Sequence, residues 1–187
     1  MENKLIVGVS GASGTIYALN LLNKLAKLNI QIDLVISTGA KEVIAHELKK
    51  EINLEKLASR VYDNKNLGAA IASGSYLARG MVIAPCSSSS LAKIAHGISD
   101  NLLTRAASVC LKENRPLILL IREAPYSRPM LKNMLEAKEA GAIIMPASPS
   151  FYNNPENIDD LISSVTERIL DLLKIKNKFA KRWKDHD

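Results

Sequence analysis

Residues 5–15 read Leu5-Ile6-Val7-Gly8-Val9-Ser10-Gly11-Ala12-Ser13-Gly14-Thr15. Leu5–Val9 is apolar throughout, without the alternation of a strand that has one wet face, so it reads as a strand covered on both sides. Thr15–Leu28 then sets Ile16, Leu19, Leu22 and Ala26 on one face of a helix. Between the two lies a turn of glycine, alanine and serine. In an open α/β sheet, ligands gather at the carboxyl ends of strands, and a helix starting there offers free N–H groups and a positive dipole end to an anion. Such a turn also serves simply to pack a helix on a sheet, but its position and its hydroxyls favour a phosphate site. The spacing is G-x-x-G-x-x-G rather than the dinucleotide G-x-G-x-x-G, and the next strand ends at Ser37 rather than at an acid that could hold a ribose. No G-K-[ST] follows. A phosphate-bearing ligand other than NAD or ATP fits better, a flavin mononucleotide among them.

The same alternation runs down the chain. Further strands are expected at Ile32–Ser37, Met81–Ala84, Leu117–Ile121 and Ala142–Met145. Helices are expected at Lys41–Lys50, Asn101–Glu113, Arg128–Ala140 and Ile158–Leu173, with Gly141 closing the third of these. This predicts an α/β fold with a doubly wound parallel sheet in a single domain over 1–173. The stretch Asp63–Ser75, rich in Gly, Ala and Ser, reads as a loop and a mobile cover for a site.

Composition narrows the function. The net charge of +6 sits mostly in a basic C-terminal tail, 174–187, where six Lys and Arg face Asp185 and Asp187; the remainder carries 19 basic against 17 acidic residues. With aromatics at only 4%, a nucleic-acid partner is not expected. Cys86 and Cys110 lack metal-ligand spacing and the three histidines are scattered, so no metal site is expected. The apolar N-terminal run is too short for a signal peptide or a membrane span, which points to a cytoplasmic protein with no membrane partner.

Four more segments follow strands and carry polar chemistry. Pro85-Cys86-Ser87-Ser88-Ser89-Ser90 supplies hydroxyl and backbone donors, although serines also cap helices. On the helix from Asn101, Arg105 and Lys112 are seven apart and share a face. Arg122-Glu123-Ala124-Pro125 puts a cation and a carboxylate past the fourth strand. Pro149-Ser150-Phe151-Tyr152 puts a phenol past the fifth, and Arg168 follows in the last helix. Their shared place at one sheet edge argues for one site that binds more than one anionic group.

These segments make the chain resemble the flavin prenyltransferase family, which includes the B subunits of phenolic-acid decarboxylase systems. The likeness covers GVSGASG at 8–14, ISTGA at 36–40, ASGSY at 72–76, PCSSSSLAKIA at 85–95, DNLLTRAASVCLKE at 100–113, REAP at 122–125, GAIIMPASPSFYNNP at 141–155, RILDLL at 168–173 and RW at 182–183. The resemblance implies a Rossmann- or flavodoxin-like FMN-binding domain, usually a homododecamer. It implies transfer of a dimethylallyl group from dimethylallyl phosphate to N5 and C6 of reduced FMN, without a metal. The prenylated FMN then serves a UbiD-type decarboxylase. By the same resemblance, Gly11, Ala12, Ser13, Ser37, Ser87, Ser88, Ser89, Ser90 and Arg122 bind FMN. Lys112, Glu123, Tyr152, Arg168 and Trp183 serve the prenyl phosphate, Trp183 from a neighbouring subunit. Glu47 is assigned to the chemistry, with Ser13, Tyr152, Lys112 and Glu123 beside it. The chain departs from the family at Thr38-Gly39, Ser108, Asn114 and Leu67. A cysteine-type decarboxylase, a flavin reductase and a non-catalytic flavin carrier are the competing readings. An intact leaving-group set argues against the carrier.

Overall fold

The computed structural model describes residues 3–179. Six strands form one sheet: β1 (Lys4–Val9), β2 (Gln31–Ile36), β3 (Arg60–Tyr62), β4 (Met81–Cys86), β5 (Leu117–Ile121) and β6 (Ile143–Pro146). Every pairing is parallel, in the order β3-β2-β1-β4-β5-β6. This is the doubly wound order, with its reversal between β1 and β4, where such sheets open a crevice for a ligand. The helices are α1 (Thr15–Lys27), α2 (Thr38–Glu47), α3 (Ser88–Ala95), α4 (Leu102–Lys112), α5 (Arg128–Glu139) and α6 (Ile158–Leu172).

The apolar strands are continuous because both faces are buried. Leu5, Val7 and Val9 of β1 with Ile118 and Leu120 of β5 pack under α1, α2 and α6. Ile6 of β1 with Leu117, Leu119 and Ile121 of β5 pack under α3, α4 and α5. Truncating one such residue to alanine is worth roughly 2–5 kcal/mol. Each helix after α1 begins at a polar side chain that accepts a backbone N–H: Ser37 for α2, Ser87 for α3, Asn101 for α4, Ser127 for α5 and Asn157 for α6.

Three sequence expectations are corrected. The short edge strand β3 was missed, since three residues with two exposed side chains give no apolar run. So was α3, because its first turn is the serine run itself. The segment 63–75 is not a loose cover. Asn64 accepts the N–H groups of Leu102 and Leu103 at the start of α4, Arg105 Nε donates to the Ala72 carbonyl, and Arg115 donates to the carbonyls of Gly74 and Tyr76. At the C-terminal end the chain keeps packing past α6: Ile175 is buried and Phe179 lies against Lys24.

Candidate functional site

The carboxyl ends of β1 and β4 are fastened by one buried side chain. Ser10 Oγ donates to the Pro85 carbonyl at 3.0 Å and accepts from Ser87 N–H at 2.7 Å. The loop after β1 is thereby set against the start of α3. It also lies against the start of α2: a Cβ on Gly11 would come 3.1 Å from the Gly39 carbonyl carbon, a tight approach that a larger residue could make only if the Gly39 backbone gave way slightly. Gly14 has φ of 104°, a left-handed conformation that favours glycine and turns the chain into α1.

The start of α1 has no cap of its own. Glu47, the last residue of α2, supplies one. Its Oε2 accepts from Gly14 N–H at 2.9 Å, and from Thr15 N–H and Thr15 Oγ1 at 2.8 Å each. Partial burial acts to raise the pKa of this carboxyl. Hydrogen bonds from the Ser13 hydroxyl, Thr15 N–H, Thr15 hydroxyl and Gly14 N–H outweigh it and hold the group below the usual carboxylate range. The N–H groups that the sequence reading offered to a phosphate are therefore occupied by a carboxylate of the chain itself. Glu47 and Ser13 do come together, as expected.

Arg122 closes the same region from β5. Its Nε donates to the Ser13 carbonyl at 3.0 Å. Glu123 follows it on the surface, with its carboxylate accepting the Ala124 N–H. Ser37 and Ser87 are spent partly on capping, while Ser88 and Ser89 stand exposed and Ser90 half-buried. Gly11, Ala12, Ser13, Ser37, the serine run, Arg122 and Glu47 thus gather at the carboxyl edge across the β1–β4 crevice. The glycine cradle at Gly11 and Gly39, the exposed hydroxyls and the Arg122 cation suit a flat, polar-edged ligand with one phosphate, so these residues fit FMN.

Lys112 is not among them. It ends α4, whose chain turns at 113–116 into the start of β5, so it lies at the amino edge of the sheet. There it pairs with Glu113 at 3.0 Å, beside Gly74. Eleven residues of helix separate the two edges, roughly 16 Å at about 1.5 Å per residue. The expectation that the segment carrying Lys112 shares one sheet edge with the glycine loop is corrected. Arg168 is exposed on the second half of α6, and Tyr152 is half exposed in the loop before that helix, next to exposed Phe151. The cleft of about 370 Å³ beside this loop is lined by Asp160, Glu156 and Glu167 among others, and its acids do not suit a phosphate. Trp183 lies outside the described residues. Sequence reasoning missed Ser10 and Thr15, since each looked like a neutral element of a turn or a helix start.

A sequence profile of the flavoprotein family matches residues 1–170. A flavin prenyltransferase of Deinococcus radiodurans is 50% identical over 185 residues, which is 98% of this chain and 95% of the relative. The chain belongs to the flavin prenyltransferase family. Two solved structures of the family superpose closely. PadA1, in complex with FMN and dimethylallyl pyrophosphate, has a TM-score of 0.95 at 37% identity, with 100% of each chain covered. A dodecameric FMN-dependent UbiX-like decarboxylase from Escherichia coli O157:H7 has a TM-score of 0.92 at 39% identity, covering 97% of this chain and 99% of that one. Among the described residues no helix is long and apolar enough to cross a membrane, and no group of three or more His, Cys, Asp and Glu is placed to hold a metal.

Proposed function

We propose that this chain is a flavin prenyltransferase that joins a dimethylallyl group from dimethylallyl phosphate to N5 and C6 of reduced FMN, and that its product serves a UbiD-type decarboxylase. The observation that carries the reading is the Glu47 carboxylate, clamped by Ser13, Gly14 and Thr15 at the mouth of the β1–β4 crevice. Family membership supplies its context. Reduced FMN, when bound, supplies the two nucleophilic ring atoms. The chain's residues do the rest. Gly11, Ala12, Ser13, Ser37, Ser87–Ser90 and Arg122 bind and orient the flavin. As the allylic C–O bond breaks, its electron pair leaves with the phosphate, and cations must hold that group. An ionised Glu47 faces the positive charge left on the allyl carbons, takes the proton lost as the first bond forms, and returns it to the remaining double bond so that the second ring position can add there and lose its own proton to the phosphate.

Lys112 and Arg168 are the cations assigned to the leaving phosphate, with Tyr152 and Glu123 beside them and Trp183 closing the site. The amino-edge position of Lys112 argues against service to its own chain's crevice, so we propose that a neighbouring subunit supplies it. A homo-oligomer, a dodecamer like the Escherichia coli relative, provides such neighbours. We place the enzyme in the cytoplasm, where its two buried free thiols match a reducing compartment. Anaerobic incubation with reduced FMN and dimethylallyl phosphate, read by mass spectrometry of the released flavin, tests the reaction. The expected product is FMN heavier by one dimethylallyl unit; recovery of unmodified FMN alone would overturn the assignment.

A further inference from the structure

We propose that Thr15 is a positioning residue for the reaction, acting through Glu47: its hydroxyl and its backbone N–H together fix the Glu47 carboxylate across the start of α1. This inference rests on the prenyltransferase reading and adds a residue to it.

The geometry carries the argument. Oε2 of Glu47 receives three donors, and two of them come from Thr15, both at 2.8 Å. The Thr15 side chain is buried, with no exposed surface, so its hydroxyl is held by packing and is not shared with solvent. Glu47 itself is an exposed residue, and these donors set the orientation of its carboxylate. The dipoles make the clamp necessary. Glu47 ends α2, where the helix's own negative end disfavours an anion, and it is drawn instead to the positive start of α1. Backbone N–H groups of Gly14 and Thr15 give that attraction. The hydroxyl adds a donor that lies off the helix axis and picks one orientation for the two oxygens. The groups around Glu47 are the Ser13 hydroxyl, the Tyr17 ring against Gly14, the Arg122 guanidinium on the Ser13 carbonyl, and His46 next to Glu47 on α2. Of these, the Ser13 hydroxyl also donates to the carboxylate, so Thr15 is one of two side chains that position it. A carboxylate so held is ionised and aimed before any ligand arrives, which is what a group acting on a short-lived allylic cation requires.

The test uses Thr15→Val, which keeps the shape and removes the hydroxyl, and Thr15→Ser, which restores it. Thr15→Ala is the second variant should the valine disturb folding. Carboxyl-carbon NMR of the FMN-free protein follows the Glu47 titration, assigned by the signal missing in Glu47→Gln. In Thr15→Val the midpoint moves to higher pH, corresponding to a roughly three- to ten-fold weaker acid, and Thr15→Ser titrates as wild type. Prenylation kcat falls by about three- to ten-fold in Thr15→Val with FMN affinity unchanged, and returns in Thr15→Ser. In a Glu47→Gln background Thr15→Val has no further effect, because the residue it positions is already gone. An unmoved midpoint with an unchanged rate overturns the inference. So does an equal loss in the Glu47→Gln background, which would make Thr15 merely structural. Absence of prenylated flavin from wild type is a separate outcome: it removes the reaction and this role with it.

Discussion

If Lys112 serves a neighbour's crevice, activity lost by two different substitutions returns when the damaged chains are mixed. Lys112→Ala removes a charge-assisted contact to phosphate, and Glu47→Gln removes the crevice carboxylate. Each homogeneous variant should retain a tenth of wild-type prenylation or less, since about 1.4 kcal/mol is a factor of ten and such contacts are worth roughly 1.5–3 kcal/mol. The two edges of the sheet are separated by about the length of α4, far beyond the reach of a lysine side chain, so on this proposal each site draws Glu47 from one subunit and Lys112 from another. When the two variants are co-expressed in equal amounts with different tags, half the chains carry intact Glu47 and the other half intact Lys112. With random assembly about one site in four has both. Use of both residues from one chain predicts no recovery. A second mixture separates the cases further: a chain bearing both substitutions, mixed with wild type, gives about a quarter of full activity if the residues come from different subunits and about half if from one. The assay is prenylated flavin formed per mole of chain, read by mass spectrometry. Failure of the single-variant mixture to rise above either parent would refute the shared site.

Stability and cofactor predictions follow from other parts of the molecule. Lys24 Nζ is buried among Glu167 Oε1 at 2.7 Å, Thr166 Oγ1 at 3.1 Å and the Ser163 carbonyl at 3.2 Å, joining α1 to α6. Burial lowers its proton affinity, partly offset by Glu167. Urea unfolding should therefore show Glu167→Ala, which strands the ammonium, costing about 3 kcal/mol, and Lys24→Met costing far less; the reverse order would contradict this reading of the pair. Glu47 is held below its ordinary range, so the stability it contributes is present above that range, near pH 4.3 and upward, and is lost as pH falls through its folded value. The difference in unfolding midpoint between wild type and Glu47→Gln should accordingly shrink in acid, and a difference that grows there would reverse the sign argued here. Purified protein should take up FMN in preference to FAD, by absorbance, and turn over unchanged in EDTA. Activity restored only by added magnesium would count against phosphate held by Lys112, Arg122 and Arg168 alone.

The parallel sheet was legible because β1, β2, β4 and β5 are buried on both faces and so are written as unbroken apolar runs. The edge strand β3 was not, because Arg60-Val61-Tyr62 has only one neighbour and little to bury. The Gly11 loop, Arg122 and the serine run were legible as neighbours for a topological reason: each follows a strand, and parallel strands deliver their ends to one edge. Lys112 was misplaced for the same reason. It follows a helix rather than a strand, and α4 runs on to the start of β5 at the other edge, whereas α2 ends with Glu47 still at the carboxyl edge. Glu47 was placed by family likeness alone. No spacing rule says that the last residue of α2 reaches back to the start of α1, since that contact depends on how two helices on the same face of the sheet sit together.

That contact gives the site a division of labour. Three helices start at the carboxyl edge around the crevice, α1, α2 and α3, and each could present its positive end to an anion. The starts of α2 and α3 are capped by neutral hydroxyls, Ser37 and Ser87, which satisfy an N–H group without cancelling the dipole. The start of α1 is capped by a full negative charge. A phosphate is thus disfavoured at α1 and left the other two, with Arg122 nearby on the Ser13 carbonyl. On the prenyltransferase proposal, negative charge at α1 suits the place where a cation forms, and positive potential at α2 and α3 suits a phosphate. At the Gly14 end of the glycine loop, the N–H groups first offered to a phosphate hold the carboxylate instead. Gly14 achieves this by turning its own N–H and that of Thr15 toward Glu47, a geometry its φ of 104° permits and a side chain there would strain.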